Sequence, residues 1–295
     1  MSPQNDLTFE LLSAVTDVRK RLETIEAMLA RIEQSVELHR RAVITGLQDQ
    51  ARPPDVKHTD PRSITMAPGQ VYSQNSEDGI IAEIFRRIDA PHRTFVEIGV
   101  GDGVENNTRL LLELGWTGVW IEGNPVNAAM IRNRLAGPIA AGRLGFIEAA
   151  VDRENVATLV EQSLNGRPVD FLSIDIDYNT SHVWRRLGPL RARVSCIEYN
   201  AHYPPSVAFE VPHDPDGRWM GTTQFGASLK RLEEIGKEIG SRLVGCDPMG
   251  VNAFFVRSDL CDEARFLPPF TAEQHYELPR FPLVQMRGHE RHGGP

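Results

Sequence analysis

Apolar residues recur through residues 7–46 in alternating steps of four and three: Leu11, Val15, Val18, Leu22, Ile25, Leu29, Ile32, Val36, His39 and Val43, with His39 the one polar member. No proline or glycine interrupts this stretch before Gly46. A 3.5-residue repeat held over more than four heptads predicts a long helix with a narrow apolar seam for partner helices. Steps of three run from a to d, so Val15, Leu22, Leu29, Val36 and Val43 sit at a, and Leu11, Val18, Ile25, Ile32 and His39 at d. Leucine at a with isoleucine at d favours three or four strands over two. Residues 1–46 are therefore expected to be a coiled-coil helix that self-associates as a trimer or tetramer. Residues 47–70, rich in Pro and Asp and without period, are expected to be a linker.

Beyond residue 70 the period alternates between that of strands and that of helices. "RTFVEIG", "TGVWIEG", "LGFIEAAV", "VDFLSIDID" and "VSCIEYN" read as strands. The helical patterns "NNTRLLLELG", "PVNAAMIRNRLAG", "NVATLVEQSLNG", "TSHVWRRLG" and "TQFGASLKRLEEIGKEIG" lie between and after them. Such alternation predicts a mostly parallel sheet covered by helices on both faces. "SRLVGCD" and "VNAFFVRSD" flank a turn containing Pro248 and Gly250 that is too short for a crossover, so they close the sheet as an antiparallel hairpin. This domain is expected over residues 71–262, and the Pro-, Arg- and His-rich residues 263–295 as an arm or partly disordered tail.

Composition narrows the partners. A net charge of -8 and a pI near 5.6 give no basic surplus for nucleic acid. Cys196, Cys246 and Cys261 form no CxxC pair and read as reduced thiols of a cytoplasmic protein. No apolar run approaches the roughly 18 residues of a membrane span.

The first strand runs into Gly99, Gly101 and Gly103. Strand–glycine–helix turns hold nucleotides, yet Val104 stands where the dinucleotide fingerprint G-x-G-x-x-G has its third glycine, which argues against NAD(P). No G-x-x-x-x-G-K-[ST] is present. Glu97 lies inside the first strand, and Glu122 ends the second, where a carboxylate can accept both ribose hydroxyls. "VEIGVGDG" followed by "WIEGNP" resembles motif I and the second-strand acid of class I S-adenosylmethionine-dependent methyltransferases. "YSQNSEDGIIAEIF", "LSIDIDYNTSHVW", "IEYNA" and "GASLKRLEEIGKEIGSRLVGCDPMGVNAFFVR" are further similar to FkbM-like methyltransferases of polysaccharide and natural-product gene sets. The resemblance spans about residues 70–260. It implies an α/β fold with a Rossmann-like seven-stranded sheet and a reversed last strand, S-adenosylmethionine as cofactor, and methyl transfer to a sugar hydroxyl of a saccharide or sugar-bearing metabolite.

Gly99 and Gly101 let the backbone approach the cofactor. Glu97 is expected to face the methionine end or its amide neighbours, and Glu122 the ribose. The resemblance adds Ala149 and Ala150 at the adenine, and Gln74 and Asp78 at the active site. Asp175 and Asp177 in "SIDID", and Glu198 and Asn200 in "IEYN", are expected at the carboxyl ends of the fourth and fifth strands, where open α/β sheets bind ligands. Gathered carboxylates need a cation or protons, and hard oxygen ligands suit Mg²⁺. Asp177, Glu198 and Asn200 are the expected metal ligands, and Asp175 is shared with the methionine amine. This pattern resembles the metal-dependent O-methyltransferases. A sugar hydroxyl needs a base, for which His182 and His202 lie just beyond these strands. Tyr203 and Trp219, in a long Pro-rich connection, are candidates to stack on a sugar ring. Two other readings stand beside the enzyme: an NAD(P)-linked oxidoreductase, and an inactive fold serving as an assembly module through its coiled coil.

Overall fold

The computed structural model describes residues 16, 18–32, 35–36, 40, 43, 46 and 55–280. The chain divides after Arg52 into two compact units. In the first, residues 18–32 are helical. Val18, Leu22, Ile25, Leu29 and Ile32 are all more than half exposed, so this part of the heptad seam is uncovered among the described residues. The seam positions Leu11, Val15 and His39 lie outside the described residues.

The second unit is built on a seven-stranded sheet: β1 (Thr94–Ile98), β2 (Thr117–Glu122), β3 (Leu144–Glu148), β4 (Phe171–Ile174), β5 (Val194–Glu198), β6 (Ser241–Cys246) and β7 (Asn252–Arg257). Their order is β3-β2-β1-β4-β5-β7-β6. The first five are parallel and β7 runs antiparallel between β5 and β6. The expected α/β architecture with a closing hairpin is thus present. Asp247 shapes the hairpin turn: its Oδ1 accepts from Met249 N at 2.7 Å and its Oδ2 from Val251 N and Asn252 N.

The helices follow as α1 (Glu77–Ile88), α2 (Arg109–Glu113), α3 (Pro125–Arg134), α4 (Ala136–Ala140), α5 (Val156–Leu164), α6 (Thr180–Leu187), α7 (Leu229–Glu238) and α8 (Ala272–His275). Alternation along each strand sends side chains to two cores. Val96, Ile98, Leu172, Ile174 and Ile197 pack with α5, α6 and α7. Phe95, Trp120, Phe171, Val194 and Phe254 pack with α1, α2 and α3 on the other face. Glu97, Ser173 and Cys196 share that second face, which makes it polar towards the carboxyl edge. Helix starts follow capping chemistry. Asn124 accepts from Val126 N, with Pro125 at the first position of α3. The last long helix starts later than its pattern suggested, because Gly226 is left-handed (φ +52°) and Ser228 caps Arg231 N.

Two boundaries need correction. Residues 55–70, expected to be linker, belong to the folded unit: Ile64 is wholly buried and Thr65 Oγ1 donates to the Cys246 carbonyl at 2.9 Å. Part of the expected tail is also docked. Phe266 and Ala272 are wholly buried, and the Tyr199 hydroxyl donates to the Glu277 carbonyl at 2.7 Å. Buried Glu277 joins the two segments, meeting Lys57 at 3.3 Å, His58 at 2.6 Å and Arg280 at 2.7 Å. Residues 281–295 lie outside the described set. If residues 55–70 are part of the core, Ile64→Ala should lower unfolding free energy by roughly 2–5 kcal/mol. Urea denaturation of the full chain measures this, and a change near zero would return the segment to a linker.

Candidate active site

A carboxylate buried within a strand must find donors. Glu97, 3% exposed, finds them in the segment after the glycine turn. Its Oε1 accepts from Asn107 N at 2.8 Å, and its Oε2 from Asn106 Nδ2 at 2.6 Å, Thr108 N at 3.0 Å and Thr108 Oγ1 at 2.5 Å. Burial still pushes its pKa upward against these bonds. Glu97 is therefore a positioning residue that meets amide neighbours; it does not make an open contact to a cofactor.

The turn it anchors places Gly99, Gly101 and Gly103 in left-handed backbone. At Gly99 (φ +82°) a Cβ would lie 1.7 Å from the Asp175 carbonyl oxygen, so only glycine fits. At Gly101 (φ +57°) a Cβ would meet nothing within 4 Å among the described residues. Open space above a left-handed turn is where a ligand can press against backbone. Glu122 faces that space. Its Oε2 accepts from Gly101 N at 2.9 Å and its Oε1 from Asn124 N at 2.7 Å. Ala149 and Ala150 run beside the end of β2, where a Cβ on Gly123 would come 3.2 Å from Ala150 Cα. This cradle fits an adenosine-bearing group: backbone for close approach, a carboxylate for ribose hydroxyls, and small residues alongside.

Asp175, Asp177 and Glu198 converge across β4 and β5, each offering an oxygen within 4.8 Å of the others. The two aspartates meet through a turn, not by strand alternation: β4 ends at Ile174, and Asp177 has φ +58°. Burial first, then the Asp177 charge, pushes the Asp175 pKa up to about 7. Burial, then Asp175, pushes Glu198 well above the usual carboxylate range. The Asp175 and Glu198 carboxyls lie close enough to share a proton, and among the described residues Glu198 Oε2 has no hydrogen-bond partner. Such a set suits a hard divalent cation.

Asn200 does not join this set. It is wholly buried; its Nδ2 donates to the carbonyls of Thr223 and Phe225, and its Oδ1 accepts from His202 N. It braces the loop from Tyr199 to Ser228, and Asp175 takes the place expected for it. His182 is also withdrawn as a base. Its Nε2 sits 2.8 Å from the Val211 carbonyl and its Nδ1 3.7 Å from Glu210, so both ring nitrogens hold the same loop. His202 follows Asn200 at the sheet edge, and burial lowers its pKa from the usual value. Tyr203 stacks on Phe209 at 4.0 Å within its own loop, whereas Trp219 is half exposed.

Asp78 organises the segment before α1. Its Oδ2 accepts from the backbone of Val71, Tyr72 and Ser73, and its buried Oδ1 has no partner among the described residues. Gln74 is exposed on that segment. Sequence reasoning missed Asn252, at the start of β7 and the register partner of Glu198. Its side chain donates to Glu77 Oε1 at 2.7 Å. An asparagine opening an otherwise apolar strand was the available signal.

No family model matches the chain, and no curated protein matches it. Among solved structures it is similar to a putative caffeoyl-CoA O-methyltransferase from Staphylococcus aureus (13% identity, TM-score 0.42, covering 74% of this chain and 99% of that one). It is also similar to a putative O-methyltransferase from Klebsiella pneumoniae (19% identity, TM-score 0.40, 72% and 94%). A third is the glycopeptide N-methyltransferase MtfA complexed with sinefungin (15% identity, TM-score 0.37, 62% and 86%). The functional reading rests on the site itself.

The carboxyl pair has a pH signature. Asp175 titrates higher in the folded chain than in the unfolded one, so from about pH 4 to pH 7 the folded state holds a proton that the unfolded state has lost. That contribution to stability is full below the unfolded pKa and is lost as pH rises through the folded one. The melting temperature should fall across this window, and Asp175→Asn should flatten the fall. Thermal melts across the window decide it: identical slopes for both proteins would contradict the assignment.

Proposed function

We propose that the folded unit is an S-adenosylmethionine-dependent O-methyltransferase acting on a sugar hydroxyl of a saccharide or sugar-bearing metabolite. The observation that carries this reading is the open left-handed turn at Gly101, faced by Glu122, on the same sheet edge as the Asp175–Asp177–Glu198 cluster. When bound, the cofactor supplies an electrophilic methyl on a positively charged sulfur, and an edge lined with carboxylates is complementary to that charge. Glu122 would accept the ribose hydroxyls, and Ala149 and Ala150 would flank the adenine. Asp175 and Asp78 would accept from the methionine ammonium, with Gln74 above on the segment before α1.

The acceptor's hydroxyl is weakly acidic and needs help to lose its proton. Asp177, Glu198 and Asp175 would hold a divalent ion of the Mg²⁺ type, which polarises a bound hydroxyl when present. His202 would take the proton, since burial favours its neutral form. Trp219, half exposed on the loop from Tyr199 to Ser228, would offer a face to the sugar.

The uncovered seam of residues 18–32 supports self-association through a coiled coil, with three or four strands favoured by Leu22 and Leu29 at a and Ile25 and Ile32 at d.

Methyl transfer from labelled S-adenosylmethionine to a saccharide panel tests the chemistry. Chelation with EDTA should abolish it and Mg²⁺ restore it; activity untouched by EDTA removes the ion. His202→Ala should keep cofactor affinity and lose turnover by roughly 10²–10⁴-fold, and unchanged turnover removes His202 as the base. Leu22→Glu with Leu29→Glu should reduce the full chain to a monomer in light scattering while leaving cofactor affinity intact. An unchanged mass would remove the coiled coil as the assembly element.

A further inference from the structure

Two buried oxygens without partners among the described residues belong to register partners where β5 meets β7. Glu198 and Asn252 are register partners across this antiparallel pair, so their side chains lie on one face, that of α1. Asn252 is 2% exposed. Its Nδ2 is committed to Glu77 Oε1 at 2.7 Å, while Glu77 Oε2 accepts from Asn75 N at 2.6 Å. Glu77 thereby fixes the amide with its oxygen turned away. Among the described residues that Asn252 Oδ1 has no partner, and neither has Oε2 of its register partner Glu198. The unmatched atoms at this spot are therefore acceptors, next to the Asp175–Asp177 carboxylates.

We propose that Asn252 Oδ1 and Glu198 Oε2 form a subsite for a protonated amino group on the methyl acceptor, making an amino sugar the preferred substrate class. The inference rests on the methyltransferase reading and deepens it. A hydroxyl donates one hydrogen bond and turns its own lone pairs towards the surrounding carboxylates. An ammonium has three donors, no acceptor and a compensating charge, and it satisfies both orphaned oxygens at once. The subsite belongs to the acceptor and not to the cofactor. In the order β1-β4-β5-β7, Asn252 stands three strands from the glycine turn, about 14 Å at the usual strand spacing.

Calorimetric titration of the full chain with glucosamine, N-acetylglucosamine and glucose, each with and without S-adenosylhomocysteine, tests this directly. Glucosamine should bind at least about 10-fold more tightly than the other two, the worth of a hydrogen bond to a charged group. Asn252→Ser, which shortens the side chain in place, should erase that preference. Equal binding of the three sugars, no binding of glucosamine, or a preference that survives Asn252→Ser would overturn the proposal. So would displacement of glucosamine by Mg²⁺, which would give Glu198 to the ion alone. Loss of S-adenosylhomocysteine binding alone would count against the methyltransferase reading, and the sugar arms run without it keep the two failures apart. The wild-type comparison decides even if the variant does not fold.

Discussion

The architecture of the site depends on one constraint: Glu97 is a carboxylate buried inside the first strand, and it must be surrounded by donors. Asn106, Asn107 and Thr108 supply them, which pins the start of α2 back onto β1. With both ends of the intervening segment held, the turn is made with Gly99, Gly101 and Gly103 in left-handed backbone. Gly99 packs against the Asp175 carbonyl, and Gly101 is left facing open space. The same bonds thus set the distance between the glycine turn and the end of β4. A hydrogen-bond network inside the sheet fixes the mouth of the site at its edge.

A second consequence is electrostatic. The face of the sheet under α1 carries Glu97, Asp175 and Glu198, α1 itself adds Glu77, and burial raises the pKa of all four. Glu97 and Glu77 are quenched by amides. Asp175 and Glu198 are left to share a proton or to receive a cation. A sulfonium, an ammonium or a divalent ion relieves the same repulsion, so the edge is complementary to positive charge at each step of the proposed reaction. Binding and chemistry then draw on one source of free energy, the desolvated carboxylates.

Much of this was legible in the chain. All seven strands and the closing hairpin follow from runs such as "RTFVEIG" and from the short turn around Pro248, because period and turn length are local properties. The three carboxylates were visible as residues near strand ends. What failed was non-local. Residues 55–70 have no period, yet Ile64 anchors them in the core and Glu277, more than 200 residues away, holds Lys57 and His58. Asn200 and His182 sit at the expected edge, but their polar atoms are taken by the loop from Tyr199 to Ser228, and no local pattern reveals which partner a side chain finds. Asn252 went unnoticed because its role exists only through its register with Glu198.

The central claim is that the turn at Gly101 cradles S-adenosylmethionine. Calorimetric titration of the full-length chain with S-adenosylmethionine, with NAD⁺ as the control, tests it most directly. Saturable 1:1 binding per chain, with none of NAD⁺, is the predicted result. A folded protein that binds no S-adenosylmethionine, or that takes NAD⁺ instead, would contradict it.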